Sequence, residues 1–383
     1  MPVKLISSPV HGLFIRAFHT WPPTGGSELA MLRSAVRSRA SIVIPTFNEA
    51  DNVGPLVRRI CAAMPDAEII FVDDASQDGT TDRIRELLAD YPVTLVERTD
   101  ERGLSSAVLR GFEVTQTDIC VVMDADLSHP PEVIPALVRA VEEGADVAIG
   151  SRYVPGGDID RWPVARRLAS KAGTLLARPL TSVRDPMAGF FCLRRSLLQG
   201  TDLKPKGFKI LLEILARAKV SHIAEVPIHF EDRQAGESKF GGRARKEYLK
   251  QLWMLYRDLN AWPWRLAKFL ATGATGYLVH IGVLCALVER VGLEPVRAAV
   301  IAFAVAMTSN YTLNRLWTFR ARSVSLFTSY TAYAAGALGG LLVQILVMHA
   351  LSALHYVLGA SLGIVLGTTF TFLTSHLWAF AKR

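Results

Sequence analysis

The sequence predicts an α/β domain with a doubly wound sheet, followed by an all-α membrane domain of four helices. Three observations lead there. From residue 40 onward, short apolar runs alternate with helix-length amphipathic segments, the pattern of parallel strands joined by crossover helices. The stretch from Ile119 to Glu132 ends an apolar run in two carboxylates, Asp124 and Asp126, then a polar turn and two prolines. After about Trp264, charge almost vanishes over runs long enough to cross about 30 Å of hydrocarbon.

Length and composition set the bounds. The chain has 383 residues, enough for two domains, and 50% of them are hydrophobic, high for a soluble enzyme. Forty-three basic and 35 acidic residues give a net charge of +8. A basic balance suits nucleic acid, an anionic membrane surface or phosphorylated substrates. Zinc-finger spacing, a basic-region helix and an aromatic RNA-binding signature are all missing, which leaves membrane and phosphate. Cys61, Cys120, Cys192 and Cys285 have no paired spacing and read as small buried hydrophobes in a reducing compartment.

In chain order, residues 1–39 are poorly patterned and read as a flexible extension. Leu13-Phe14-Ile15 is too short for a signal-peptide core. Ala40 begins a short buried strand that Pro45 ends, and a helix follows the turn-like Thr46 to Asn52. Ala67 to Val72 is the next strand, closed by Asp73-Asp74, with a helix from Thr81. Val93 to Val96 is a third strand, and Gly103 opens a third helix. The carboxylate strand is fourth, with a helix from Pro131 to Glu143, and Asp146 to Gly150 is fifth. Right-handed crossovers then put the strands' C-terminal ends on one rim, where open α/β sheets bind ligands.

That rim gathers Thr46, Asn48 and Glu49, then Asp73 and Asp74, then Asp124 and Asp126, then Ser151 and Arg152. Side chains two apart on a strand share a face. Two such carboxylates suit Mg²⁺ or Mn²⁺ held with substrate phosphates. The alternative is capping, with Asp126 or Ser128 starting the helix that Pro130 and Pro131 open. Acidic clusters after three strands exceed what capping explains. No Gly-x-Gly-x-x-Gly follows the first strand, which argues against a dehydrogenase, and there is no Walker loop.

Four ordered motifs carry a family resemblance. They are Ile42-Val43-Ile44-Pro45-Thr46-Phe47-Asn48-Glu49, Val72-Asp73-Asp74-Ala75-Ser76-Gln77-Asp78-Gly79-Thr80, Met123-Asp124-Ala125-Asp126-Leu127-Ser128-His129-Pro130-Pro131-Glu132 and Gly150-Ser151-Arg152-Tyr153. Over residues 41–257 the chain resembles the inverting glycosyltransferases of family 2, and within them the dolichol-phosphate (polyprenol-phosphate) mannose synthases. The resemblance implies a GT-A (Rossmann-like) catalytic domain, GDP-mannose as sugar nucleotide, a polyprenyl or dolichyl phosphate acceptor, and Mg²⁺ or Mn²⁺. It places Pro45, Phe47, Glu49, Val72 and Asp74 at the base and ribose. Asp124, Ala125 and Asp126 meet metal and diphosphate, and Arg152 and Arg166 meet phosphate or sugar. Ser128 stands where some family members have Gln, as a weaker metal ligand.

Residues 161–179 are basic and amphipathic, either an ordinary surface helix or a helix lying on an anionic membrane. Residues 181–191 look like the family's acceptor-side segment, with Asp185 either functional or structural. Glu225 to Arg233 is a strand entering a loop, and His229 reads as a strand residue. The loop that follows contains Gly236, Ser238 and Lys239. It is either a solvated linker or a lid over phosphates. In the resembling family, Arg-x-x-Gly-x-Ser-Lys covers the active site, which makes Arg233, Ser238 and Lys239 phosphate ligands. Asp126, Arg152, Arg166, Arg233 and Lys239 are the residues expected to carry the reaction.

The expected domains are a catalytic domain at 40–244, aromatic-rich interface helices at 245–265 and a membrane domain at 266–383. The membrane spans fall near 266–288, 297–317, 326–351 and 356–380. Arg315, Arg320 and Arg322 between the second and third spans, with Lys382 and Arg383 at the end, put these segments and the catalytic half in the cytoplasm. Asn310 to Phe319 matches Thr371 to Phe380, an internal repeat, and Gly273, Ala274 and Gly276 resemble Gly336, Ala337 and Gly339. Asn310-Tyr311-x-Leu313-Asn314-Arg315-x-Trp317-x-Phe319 resembles the GtrA-like membrane family. That half either anchors the enzyme or moves lipid, and His280, Asn310 and Asn314 are polar within it.

Together these imply mannose transfer to a lipid phosphate at the cytoplasmic face. Rival readings are the same chemistry with UDP-glucose, a lipid-linked sugar flippase, and a processive synthase, which lacks support because no Gln-x-x-Arg-Trp occurs.

Overall fold

The structure, a computed structural model, describes residues 5–7, 38–159, 162–204, 209–231, 242–321, 323–351 and 356–381. The chain divides into two compact units, Met1–Leu255 and Tyr256–Arg383.

The first unit is built on β2 (Ala40–Thr46), β3 (Ala67–Asp73), β4 (Val93–Glu97), β5 (Ile119–Val122) and β6 (Val147–Ser151). Helices α1 (Ala50–Ala63), α2 (Thr80–Leu87), α3 (Leu104–Val114) and α4 (Ile134–Glu142) connect them. Every residue of β3 is buried, as expected of a strand covered on both faces. One core packs Ile42, Ile44 and Phe71 under α1 and α4, and the other packs Val43, Ile70 and Val122 under α3. Gly111 on α3 lets that helix lie against β2, because a Cβ there would sit 2.2 Å from Val43 Cγ1.

The sheet is mixed rather than parallel throughout, which corrects the sequence reading. Strand order is β1-β4-β3-β2-β5-β8-β6-β9, with β1 (Leu5–Ser7), β8 (Phe191–Arg194) and β9 (Ile223–Pro227). β8 runs antiparallel between β5 and β6, with Val122 and Ile149 both opposite Phe191. The cause is the long excursion after β6. It passes through β7 (Asp158–Ile159) and α5 (Val164–Ala177), and the chain then re-enters the sheet from the rim. The loop before β8, with Asp185 and Gly189, therefore lies where the parallel strands end. α6 (Ile210–Arg217) and β10 (His229–Phe230) follow, β10 pairing parallel with β7.

Two smaller corrections follow. β2 continues past Pro45, which pairs with Val72, and ends at Thr46 opposite Asp73. Pairing with β5 has already stopped at Val43, so the missing proline N–H breaks no bond there. Within the 1–39 extension, Leu5–Ser7 forms an antiparallel edge strand on β4. Residues 1–4 and 8–37 lie outside the described residues.

Helix α7 (Gly242–Asp258) runs across the boundary between the units. The second unit holds α8 (Trp262–Cys285), α9 (Pro295–Leu313), α10 (Leu326–Leu351) and α11 (Tyr356–Thr374). Among the described residues, four helical segments are long and apolar enough to cross a membrane, beginning at Trp262, Pro295, Leu326 and Ser361. α8 pairs with α9 and α10 with α11. Each pair meets at a glycine: a Cβ on Gly276 would strike Asn310, and one on Gly340 would strike Thr371. Asn310 and Thr371 are equivalent positions of the sequence repeat. The repeat also ends both halves alike, in π-helical turns Asn314–Thr318 and Ser375–Ala379. The phenylalanines that follow, Phe319 and Phe380, stack at 4.8 Å.

Gly111→Ala is expected to destabilise the catalytic unit by about 1–3 kcal/mol through overpacking against Val43. Combining it with Val43→Ala should cost less than the two changes summed, measured by denaturant unfolding in detergent.

Candidate active site

Three rim loops hold a left-handed residue that is not glycine. Asn48 (φ 58°), Ala75 (φ 58°) and Leu127 (φ 60°) follow β2, β3 and β5. Such residues cost of order 1–3 kcal/mol each and persist where neighbours fix them. Here the first two loops fasten one another. The Asn48 amide donates to Ser76 Oγ at 2.8 Å, and the Gln77 amide donates to Asn48 Oδ1 at 3.0 Å. The Glu49 amide donates to Thr80 Oγ1 at 2.8 Å, and Asn52 Nδ2 donates to Glu49 Oε2 at 2.7 Å. Asp73 accepts from Thr46 Oγ1 and from Ser76.

The expected base and ribose residues therefore fall around one pair of loops, with different exposures. Pro45, Phe47 and Glu49 are half-buried, and the Arg102 guanidinium lies 5.6 Å from the Phe47 ring. Val72 is wholly buried in the core beneath. Asp74 accepts from Arg98 Nε and the Gly103 amide, each at 2.8 Å. Burial pushes the Asp74 pKa up, and those two donors offset only part of the rise. Arg98 was not singled out in the sequence. It lies 24 residues from Asp74, so no local spacing links them.

Asp124 and Asp126 lie just past β5. Asp126 is buried, and its Oδ1 accepts from the Ser128 hydroxyl (2.6 Å) and amide (3.2 Å). Neither Asp126 nor Ser128 caps the following helix, whose first turn starts at Pro131 without a side-chain cap. Ala125 is buried in the core between the two carboxylates. Asp124 is partly open, and Gly189 leaves room for it: a Cβ there would lie 2.8 Å from Asp124 Oδ2. The donor set fits a divalent cation held jointly with phosphate oxygens, which commonly takes one or two protein carboxylates. Among the described residues, no group of three His, Cys, Asp or Glu forms an all-protein cage.

His129 completes this loop; it stands in the third sequence motif, but no role for it was read there. The Asp124 amide donates to its Nδ1 at 3.3 Å, which requires that nitrogen to be unprotonated. Burial pulls the His129 pKa down, and the nearby Asp124 and Asp126 charges only partly offset this. Its ring stacks on Phe190 at 5.3 Å and meets the Phe230 edge at 5.4 Å.

Arg152, at the end of β6, is clamped. Its Nε and Nη2 donate to Asp185 Oδ2 and Oδ1, both at 2.7 Å. Its guanidinium also lies over Phe230 at 5.3 Å and Trp162 at 5.5 Å. Burial opposes its charge, yet Asp185 more than compensates, so the Arg152 pKa is raised. Asp185 is itself fixed by Glu225 of β9, which accepts from the Asp185 and Arg184 amides and from Ser151 Oγ. Arg166 on α5 sits 4.0 Å from the Trp162 ring. His129, Phe230 and Trp162 thus form an aromatic wall running from the carboxylates to both arginines. Arg233, Ser238 and Lys239 lie outside the described residues.

Asp185→Ala leaves Arg152 buried without its partner and should cost about 3–5 kcal/mol, read by thermal or denaturant unfolding. His129 binds a proton less readily folded than unfolded. Stability should therefore fall as pH drops below about 6.5, the ordinary imidazole value. In His129→Asn, which keeps an acceptor for the Asp124 amide, unfolding curves between pH 7.5 and about 5.5 should lose that component.

Comparison with known proteins bears on this site. Residues 41–201 match the Glycosyl transferase family 2 model, and residues 268–380 match the GtrA/DPMS transmembrane domain. A dolichol-phosphate mannosyltransferase from Pyrococcus furiosus is 41% identical over 337 residues, covering 86% of this chain and 95% of that protein. The Saccharomyces cerevisiae protein of the same name is 43% identical over 231 residues, covering 56% of this chain and 86% of its own. Among solved structures, the UDP complex of glucosyl-3-phosphoglycerate synthase from Mycobacterium tuberculosis is 21% identical. It aligns with a TM-score of 0.44 over 64% of this chain and 88% of that one. With a relative of such identity matched along nearly its whole length, this glycosyltransferase belongs to the dolichol-phosphate mannosyltransferase family.

Proposed function

We propose that the protein transfers mannose from GDP-mannose to a polyprenyl or dolichyl monophosphate at the cytoplasmic membrane face, with inversion at the anomeric carbon. The supporting observation is the meeting of Asp124 and Asp126 with the Asp185-clamped Arg152 on one rim, in a chain whose relatives are named for mannosyl transfer to lipid phosphates.

The chemistry follows from the reactants. A phosphate monoester has its second pKa near about 6, so the attacking oxygen is already ionised at neutral pH and no strong general base is required. The oxygen's electron pair forms the new bond to the anomeric carbon. The bond to the diphosphate breaks on the opposite side, and GDP leaves with that pair. The site must bring two anions together and stabilise the departing charge.

Asp124 and Asp126 would hold Mg²⁺ or Mn²⁺, which when bound neutralises diphosphate charge. Ser128 keeps the Asp126 carboxylate in position through its 2.6 Å hydrogen bond. Arg152 and Arg166 are assigned to phosphate or sugar, and Arg233, Ser238 and Lys239 to the acceptor phosphate. The loops bearing Pro45, Phe47, Glu49 and Asp74 receive the nucleoside.

Membrane apposition has its own support in the first unit. α5 exposes Val164, Leu168 and Leu175 at 62–72%, beside basic residues. α7 exposes Leu249 and Trp253, and its Tyr248 hydroxyl donates to the Gly173 carbonyl of α5 at 2.7 Å. An apolar face flanked by cations suits the surface of an anionic bilayer. We assign 40–244 to catalysis, 245–265 to the interface and 266–383 to the membrane.

The test is label transfer into organic-extractable lipid, using the full-length protein, a polyprenyl phosphate, and labelled GDP-mannose or UDP-glucose. Mannolipid dependent on added Mn²⁺ and abolished by EDTA is expected. Glucolipid alone would overturn the donor assignment. Asp126→Asn should lower transfer by roughly 10²-fold or more while the protein stays folded.

A further inference from the structure

Among the described residues, the second unit carries buried positive charge that no carboxylate balances. Lys268, one turn after Trp264 on α8, is only 4% exposed. Its ammonium donates to Asn260 Oδ1 and to the Trp317 carbonyl, each at 3.1 Å. An ammonium has three donors, so two neutral acceptors leave one without a partner among the described residues. Arg265 donates to the Asn260 carbonyl at 2.8 Å and meets His376 Nδ1 at 3.1 Å. Arg320 is exposed and acts on Lys268 as a like charge. Among the described residues, none of these three cations has an acidic partner.

Independent observations fall on the same segments. The Thr272 and Thr318 hydroxyls are buried at 1% and 0% exposure and have no hydrogen-bond partner among the described residues. Thr272 lies one turn beyond Lys268 on the same helix face. The carbonyl of Thr318 accepts from Asn260 Nδ2 at 3.1 Å. Beyond the three rim loops, the left-handed non-glycine residues described are Asn260 (φ 49°) and Arg320 (φ 52°), both at this cluster.

A buried cation beside unsatisfied hydroxyls is unfavourable unless an anion that accepts hydrogen bonds balances it. Phosphate oxygens meet both demands. The surroundings favour a lipid as the source. The Lys268 ammonium lies 5.8 Å from the Trp264 ring and 5.4 Å from the Trp317 ring, residues of the kind found at bilayer interfaces. We propose that Lys268 and Arg265, which both donate to Asn260, together with the neighbouring charge of Arg320, bind the phosphate group of an anionic membrane lipid, a site additional to the catalytic one.

The test places the full-length protein in phosphatidylcholine nanodiscs containing either phosphatidylglycerol or a polyprenyl monophosphate. Native mass spectrometry counts the anionic lipids that remain bound after release. The wild type should retain one anionic lipid more than Lys268→Gln or Arg320→Gln. Retention in those variants should fall about tenfold, as the loss of a hydrogen bond to a charged group implies. Lys268→Arg should restore it. Retention of the polyprenyl monophosphate alone would identify the acceptor lipid as the ligand, and equal retention of phosphatidylglycerol would identify a bulk acidic lipid. Both results support the site. Because Arg320 is exposed, its variant reports even if Lys268→Gln fails to fold. Equal retention by the wild type and Arg320→Gln with both lipids would overturn the proposal.

Discussion

A buried guanidinium must be matched by a carboxylate, and the pairing of Arg152 with Asp185 is the constraint around which the catalytic unit is arranged. Asp185 is wholly buried and takes both donors of the arginine's fork. The pair joins the end of β6 to the loop that enters β8. Glu225 of β9 locks the same loop from the other side. Once that loop is fixed, Gly189 lies against Asp124 and Phe190 lies against His129. One ion pair thus sets the spacing between the carboxylate loop and the arginines.

The antiparallel placement of β8 makes this possible. A purely parallel sheet would deliver only strand ends and the starts of helices to the rim. A strand descending from the rim delivers its preceding loop as well, which is how Asp185 and Gly189 reach Asp124 and Arg152. The rim loops are then held in uncommon conformations by side chains from neighbouring loops, as Asn48 and Ser76 hold each other. Such cross-fastening suits the proposed task of orienting two anions, which calls for no proton transfer.

Legibility in the sequence followed the range of the interactions. The strands β2, β3 and β5 and the carboxylates at their ends were readable because period and turn chemistry are local. The membrane helices were readable from unbroken hydropathy, and the repeat from the match of residues 310–319 to 371–380. β8 was not, because the place of Phe191–Arg194 depends on pairing with β5 and β6, which no local pattern records. Asp185 was left open between structure and function because its partner lies 33 residues away. His129 stood in a quoted motif, but its tautomer and burial arise only from Phe190 and the Asp124 amide. The unbalanced charge of Lys268 was equally invisible, since a lone lysine near a span reads as an interfacial anchor.

Asp124 and Asp126 are proposed to bind the donor by sharing a divalent cation with its diphosphate. Isothermal titration of GDP-mannose into the full-length protein tests it most directly, with Mn²⁺ or with EDTA, for the wild type and for Asp124→Asn. Saturable binding by the wild type with Mn²⁺ is expected, with loss of that binding in EDTA or in the variant. Equal binding with EDTA, or Mn²⁺-dependent binding undiminished in Asp124→Asn, would contradict it.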